Sequence, residues 1–469
     1  MSKQLFNTTE KSNFILNMTE EKYSQLASYG LSLACFTTAI FAVIPEFVDK
    51  LSYSIVSGGL AVSGVICMIL ALIAVMKKYI DIKKLFPVCS FGAMILWGIV
   101  SLINSYSVST SFYGFSGRGE GLLAIIFYFC FFITAMSVKR EKAVKSIINS
   151  VIASGLLHSL VALIQVFTGK LSHYRFISLD IKANAASGLA QSPVFLAMVL
   201  SLSLTASLIM SVTTDKKRIF YIVSSCIFSF VMMFTYSLVG ITGIIISIIL
   251  SATAVFISKS PKIRLVSLLS SVIPAVVSVI IVNAGLIGEI SSYKLYDGYS
   301  LWWADSYMRL SSSGDYNSEK VDISDTAEVY GYLNSTSLDI IKKYALTGTG
   351  PDQLVYPQLY TNGGLDMETT DMSTIIFLNR GTFDRVYNEY LYTAATRGIP
   401  SLIALVLILG SVLVNGFRKV KKSRSDIDIC TFMMFICGIL IFFIGCSNIT
   451  FSPIFWTVSG LLLCSAKKE

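Results

Sequence analysis

Apolar stretches of about 20 residues recur along most of this chain, each long enough to cross a bilayer core of roughly 30 Å as a helix. Few folds are open to such a sequence, because backbone placed in lipid has to satisfy its own hydrogen bonds. About twelve such stretches can be counted, at 27–48, 53–76, 85–105, 121–138, 147–168, 188–211, 219–236, 239–257, 265–287, 399–417, 429–446 and 452–466. Only 14% of the residues are charged and 54% are hydrophobic, whereas soluble domains carry about a quarter charged residues. The expectation is an all-α polytopic membrane protein with about 12 transmembrane helices.

The net charge of +9 is placed for orientation and not for nucleic acid. Basic residues gather in every second loop: Lys77/Lys78/Lys83/Lys84, Lys139/Arg140/Lys142/Lys145, Lys216/Lys217/Arg218, Lys259/Lys262/Arg264, Arg418/Lys419/Lys421/Lys422/Arg424 and Lys467/Lys468. The positive-inside rule makes those loops and both termini cytoplasmic, with membrane lipids as their partners. The expected organisation is a cytoplasmic segment over 1–26, spans one to nine over 27–287, an extracytoplasmic loop over 288–398, and spans ten to twelve with a tail over 399–469. That loop contains no cysteine or histidine. All nine cysteines lie in or at the edge of spans, where they read as small core residues and not as a disulfide framework. His158 and His173, the two histidines, are too few for a zinc site of the usual kind; no metal or other cofactor is expected.

Inside the long loop, Leu338–Ala345 has helical periodicity, preceded by serines that can cap it and stopped by Gly348-Thr349-Gly350-Pro351. The segment Ser311–Asp325 is rich in Ser and Asp and reads as mobile. A second helix is expected over Phe383–Tyr392, with Thr382 or Asp384 as cap and with Arg385 and Glu389 four apart on one face. Gly398 and Pro400 should end it just before span ten.

Few polar groups sit within spans; His158 and Gln165 stand out, and no acidic network of the kind an ion pump needs is present. Cations at the outer mouth carry more information: Arg118, between Gly117 and Gly119; Arg175 and Lys182; and Arg309, Arg380, Arg385 and Arg397 in or beside the long loop. Guanidinium groups grip phosphate bidentately, so several converging at a membrane surface suit a lipid-linked pyrophosphate. The competing reading is that each arginine pairs with one of the loop's carboxylates. Gly348-Thr349-Gly350-Pro351-Asp352 either exposes backbone N–H groups to an anion or is only a helix stop.

Taken together, Gly117-Arg118-Gly119-Glu120-Gly121-Leu122, the Gly348–Asp352 run, Asp384-Arg385-Val386-Tyr387-Asn388-Glu389-Tyr390-Leu391 and Thr396-Arg397-Gly398-Ile399-Pro400 resemble the O-antigen ligase family. That group includes O-antigen ligases, Wzy-type polysaccharide polymerases and teichuronic-acid-type enzymes. The likeness covers roughly residues 110–465 and lies in the order of short motifs and in the place of the long loop. It implies a metal-independent membrane glycosyltransferase of C-type architecture on the outer face of a bacterial plasma membrane, acting in cell-surface polysaccharide synthesis. The donor would be a glycan on undecaprenyl pyrophosphate, and the acceptor a glycan or glycolipid hydroxyl. The resemblance assigns Arg118 and Arg385 to the donor pyrophosphate, and Asn388 and Glu389 to the acceptor or sugar. Arg175, Lys182 and Arg397 join them as candidate substrate-binding residues, and Arg385, Tyr387 and Glu389 form the candidate catalytic set.

The chain departs from the family pattern at two points. Tyr387 stands where a histidine is common, and Ser237 is followed by Leu238 and not by arginine. A tyrosine with a pKa near 10 is a poor base at neutral pH, which leaves Tyr387 to position the acceptor and Glu389 or Asp384 as the candidate base. Two other classes fit about twelve spans: a polysaccharide or glycolipid flippase or transporter, and a non-catalytic relative that uses the loop for binding.

Overall fold

A computed structural model describes residues 18–38, 54–81, 84–114, 119–168, 186–190, 192–213, 217–235, 237–258, 261–283, 326–354 and 385–465. Among these residues the chain is all-α, with fourteen helices. They are α1 (Glu20–Ala34), α2 (Ser54–Met76), α3 (Leu85–Val100), α4 (Val108–Tyr113), α5 (Leu122–Met136), α6 (Glu141–Thr168) and α7 (Pro193–Thr213). The rest are α8 (Arg218–Met233), α9 (Leu238–Ile257), α10 (Pro261–Asn283), α11 (Thr326–Lys343), α12 (Glu389–Ser423), α13 (Asp426–Ile441) and α14 (Ser452–Leu463). Seven helices are long and apolar enough to cross a membrane, and the chain is accordingly a multi-pass membrane protein.

The centre of the bundle is α7, where every side chain from Pro193 to Ser211 is buried. It packs against α6, α8, α9, α10 and α13. Without a hydrophobic driving force between helices in lipid, close approach and interhelical hydrogen bonds have to hold such a core. Both occur where α7 meets α9. Thr205 donates to Ser247 Oγ at 2.9 Å, and Ser247 can donate to the Ser201 carbonyl at 3.2 Å. A Cβ on Gly243 would stand 2.1 Å from Ser201 Oγ, so only glycine lets the two helices meet there. The outer helices turn apolar side chains outward instead, among them Val266, Ile273 and Ile280 on α10, Leu72 and Val75 on α2, and Val406 and Phe417 on α12. A ring of exposed aliphatic groups of this extent suits lipid and not water.

The polar residues singled out inside spans are structural. Gln165 on α6 receives the N–H groups of Ser187 and Gly188 at 3.1 and 2.8 Å and donates to the Gly188 carbonyl at 2.9 Å, which holds the turn entering α7. His158 is fully buried with Nε2 3.5 Å from Thr38 Oγ1.

The two ends of the bundle differ in charge. At one end Lys84 and Lys419 donate to the Leu463 and Leu461 carbonyls at 2.7 and 3.2 Å, capping the C-terminus of α14 where the helix dipole favours a cation. Lys419 also pairs with Asp428 at 3.0 Å, and Arg140 pairs with Glu21. Roughly 30 Å away along α12, at 1.5 Å per residue, lies Arg397 and with it the other end.

Several boundaries differ from expectation. The first helix starts at Glu20, inside the segment expected to be a polar tail, because Tyr23, Ala27 and Leu31 are buried along one face. Tyr23 bonds Ser137 there at 2.6 Å. Helix α11 begins at Thr326, and the serines expected to cap a shorter helix lie within it; Ser337 donates to the Leu333 carbonyl one turn back, at 2.5 Å. Ser311–Asp325, Arg309, Arg380, His173, Thr382 and Asp384 lie outside the described residues.

The contact between α7 and α9 yields a paired prediction. Gly243→Val overpacks the crossing and should lower stability by about 1–3 kcal/mol, while Ser247→Ala removes one interhelical hydrogen bond and should cost about 0.6 kcal/mol. Thermal unfolding of the two variants in one detergent checks the ordering; equal effects would contradict it.

Candidate active site at the polar end of the bundle

The site begins with a helix break. Pro400 has no N–H to give the Thr396 carbonyl, and Gly398 takes a left-handed φ of 78°, so α12 kinks and leaves the carbonyls of Ala395 and Thr396 without helical partners. The strap after α11 fills the gap. Thr349 N–H donates to the Ala395 carbonyl at 3.1 Å and Gly350 N–H to the Thr396 carbonyl at 2.9 Å, while Ile399 N–H returns to the Ala345 carbonyl at 2.8 Å. The approach is so close that a Cβ on Gly398 would sit 2.1 Å from the Leu346 oxygen. The N–H groups of Gly348, Thr349 and Gly350 are therefore all taken by carbonyls, and the anion-cradle reading of these three residues is not what the structure contains.

The strap is tied on its other side to the end of α3 and the segment after it. Trp97 Nε1 donates to the Leu346 carbonyl at 2.7 Å, and Gln353 Oε1 receives the N–H of Tyr106 at 2.8 Å. Between these ties the chain places Asp352, itself in a left-handed conformation (φ 58°) that costs energy for a residue other than glycine.

Asp352 is the acceptor for Arg385. Arg385 Nη2 lies 3.1 Å from Asp352 Oδ1, Tyr392 Oη donates to the same oxygen at 2.9 Å, and Arg385 Nη1 donates to the Ser447 carbonyl at 2.7 Å. The guanidinium also lies 5.8 Å from the Phe195 ring centre and 5.5 Å from that of Tyr392. Burial works against its charge, but Tyr392 and Asp352 outweigh that and keep the group protonated. Arg385 is not on a helix: Asn388 is the N-cap of α12, its Oδ1 receiving the N–H of Tyr390 at 3.1 Å and of Leu391 at 3.2 Å, so the expected helix from Phe383 and the shared face of Arg385 and Glu389 are corrected. Asparagine caps well enough to override the weaker helical pattern before it.

A second ion pair lies beside the first. Arg397 Nη2 reaches Glu389 Oε1 at 3.3 Å and Thr393 Oγ1 at 2.7 Å, one helical face bringing all three together. Glu389 Oε1 also receives Thr393 Oγ1 at 3.0 Å, and its Oε2 receives the Ser447 N–H at 2.6 Å. Both oxygens of Glu389 are thus engaged. Tyr387 is buried, its ring centre 6.0 Å from that of Tyr330, whose hydroxyl donates to the Ile444 carbonyl at 3.1 Å.

Glu120 completes the group and was not among the residues expected in the site. It precedes α5, is 5% exposed, and receives the Tyr128 hydroxyl on Oε1, while its own N–H donates to Asp352 Oδ2 at 3.4 Å. Burial pushes its carboxyl up to about 7, with Arg385 and the Tyr128 hydroxyl opposing the rise. Glu120, Tyr128, Asp352, Glu389, Tyr392 and Arg397 line one small pocket, together with Met94, Leu405 and Trp456. Arg385 stands behind Asp352 and does not line it.

Of the residues expected at the site, Arg385, Tyr387, Asn388, Glu389 and Arg397 come together at this end of the bundle. Arg118, Arg175 and Lys182 lie outside the described residues; Glu120, two residues after Arg118, donates its N–H to Asp352. Sequence reasoning missed Glu120 and Asp352 as members, although both stand in glycine-rich runs that mark tight turns. No protein-family model matches the sequence, and no curated protein does.

The buried pair makes a testable statement. Asp352→Ala strands a buried guanidinium and should cost about 3–5 kcal/mol, whereas the double variant Asp352→Ala/Arg385→Met should recover much of that loss. Unfolding midpoints of both variants in detergent provide the check; a double variant no more stable than the single one would count against the pair.

Proposed function

We propose that this chain is a membrane glycosyltransferase resembling O-antigen ligases and Wzy-type polymerases, moving glycan from undecaprenyl pyrophosphate to an acceptor hydroxyl at the outer face of the membrane. The observation that carries the reading is the meeting of Arg397, Glu120, Asp352 and Glu389 around one cavity, with Arg385 paired to Asp352, at the end of the bundle away from the lysine-capped end. Charge of both signs, buried and fixed before any substrate arrives, is the arrangement that stabilises a developing charge without reorganising in the transition state.

In the reaction the acceptor oxygen attacks the anomeric carbon, the bond from that carbon to the phosphate oxygen breaks, and the pyrophosphate leaves with the electron pair. Arg397 lines the cavity and is the described guanidinium placed to meet the departing diphosphate; Arg118, Arg175 and Lys182 are assigned to the same anion. Arg385 acts through Asp352, holding the strap that closes one side of the cavity. Glu389 fixes Arg397 and the Ser447 backbone, Asn388 fixes the start of α12, and Tyr387 walls the site against α11. The orientation follows the basic loops: twelve spans put both termini in the cytoplasm and this end outside.

Arg397→Lys keeps the charge but loses the planar fork, and should lower the transfer rate by about 10²–10³-fold while the ion pair to Glu389 survives. Purified protein supplied with undecaprenyl-pyrophosphate-linked repeat units measures this directly. Wild-type protein that neither lengthens nor transfers any such donor would reject the reading. The orientation has its own test: a cysteine at Ser312 should react with an impermeant maleimide on whole cells, and one at Ser423 only after permeabilisation. Reversed labelling would place the site in the cytoplasm.

A further inference from the structure

We propose that Glu120 is the catalytic base of this site, taking the proton of the acceptor hydroxyl on its Oε2 as that oxygen attacks the anomeric carbon. The inference rests on the glycosyltransferase reading above and supplies what that reading lacks, since Tyr387 is a poor base.

Three carboxyl groups line the cavity, and two of them are committed. Asp352 holds Arg385 and Tyr392 on Oδ1 and the Glu120 N–H on Oδ2. Glu389 holds Arg397 and Thr393 on Oε1 and the Ser447 N–H on Oε2. Both oxygens of each of these two carboxylates already receive donors, so an acceptor hydroxyl would have to displace one to reach them. Glu120 differs. Its Oε1 receives Tyr128, and among the described residues no donor reaches Oε2, although the side chain is almost fully buried and borders the cavity.

The charges facing Glu120 come from several elements: Arg385 and Asp352 from the strap side, Glu389, Tyr392 and Arg397 from α12, and Tyr128 from α5. Two guanidiniums are matched by two carboxylates in this set, so among the described residues Glu120 is the acid here outside an ion pair. Burial raises its carboxyl to about 7, while Arg385 and the Tyr128 hydroxyl hold it from rising further. A group balanced there accepts a proton at neutral pH and returns it after the step. The bookkeeping of atoms closes within the proposed reaction: the acceptor O–H bond breaks, its proton goes to Oε2, the new glycosidic bond forms, and the pyrophosphate carries away the bonding pair. Tyr128 is a positioning residue, aligning the carboxyl and setting its acidity.

The experiment measures initial rates of glycan transfer against pH for the full-length protein in nanodiscs, with undecaprenyl-pyrophosphate-linked repeats as donor. A base has to be ionised to act, so the wild-type rate should rise with pH through about 7. Glu120→Gln should lower kcat by about 10²–10⁴-fold with the donor KM unchanged, and should abolish that rise. Tyr128→Phe removes a contact that favours the ionised form, so the rise should move to higher pH. If Glu120→Gln does not fold, the displacement in Tyr128→Phe decides the matter. Active wild type together with a Glu120→Gln variant of normal rate and pH profile, or a Tyr128→Phe profile that does not move, overturns the assignment of Glu120 alone. Wild-type protein that transfers no glycan overturns the underlying reading and this inference with it.

Discussion

Two backbone carbonyls released by the kink in α12 organise the polar end of this protein. A proline at position 400 and a left-handed glycine at 398 leave the oxygens of Ala395 and Thr396 without donors inside the helix, where burial makes an unmatched carbonyl costly. The strap at 345–350 supplies those donors by a short run of backbone pairing. Docking the strap fixes Asp352, Asp352 fixes Arg385, and Arg385 reaches on to the Ser447 carbonyl in the link between α13 and α14. One helix defect thereby joins three parts of the chain that are distant in sequence.

Electrostatic balance follows from that geometry. Each buried guanidinium has a carboxylate within 3.3 Å and further hydrogen bonds around it, the condition under which buried ion pairs are tolerated. The pairs are not interchangeable. Arg397 borders the cavity and Arg385 does not, so the first is placed to meet a ligand and the second to hold the wall. Glu120 stands outside both pairs, and its elevated carboxyl is the physical consequence of burial, which Arg385 and the Tyr128 hydroxyl only partly oppose.

The bundle supports this end by a different kind of force. Around α7 the helices approach through glycine and serine, and hydroxyl groups bridge between helices or return to the carbonyl one turn back. At the opposite end Lys84, just before α3, and Lys419 on α12 close the carbonyl terminus of α14. The polar site therefore sits on helices anchored at both ends, which limits the motion of groups whose positions matter to a fraction of an ångström for chemistry.

Much of the architecture was legible in the residues alone. Apolar runs of membrane length specify helices whatever surrounds them, because a helix satisfies its own backbone; among the described residues a helix overlaps each of those runs, and seven are long and apolar enough to cross a membrane. Gly398 and Pro400 likewise announced a break through local sterics. Which arginine meets which carboxylate was not legible. Glu120 and Asp352 are more than two hundred positions apart, as are Gln353 and Tyr106, and no local periodicity records such a pairing. Arg385 and Glu389 have helical spacing, yet Asn388 starts the helix between them and sends the two side chains to different partners. Local rules reach as far as the hydrogen bonds within a segment. The choice among carboxylates was made by the packing of segments against one another.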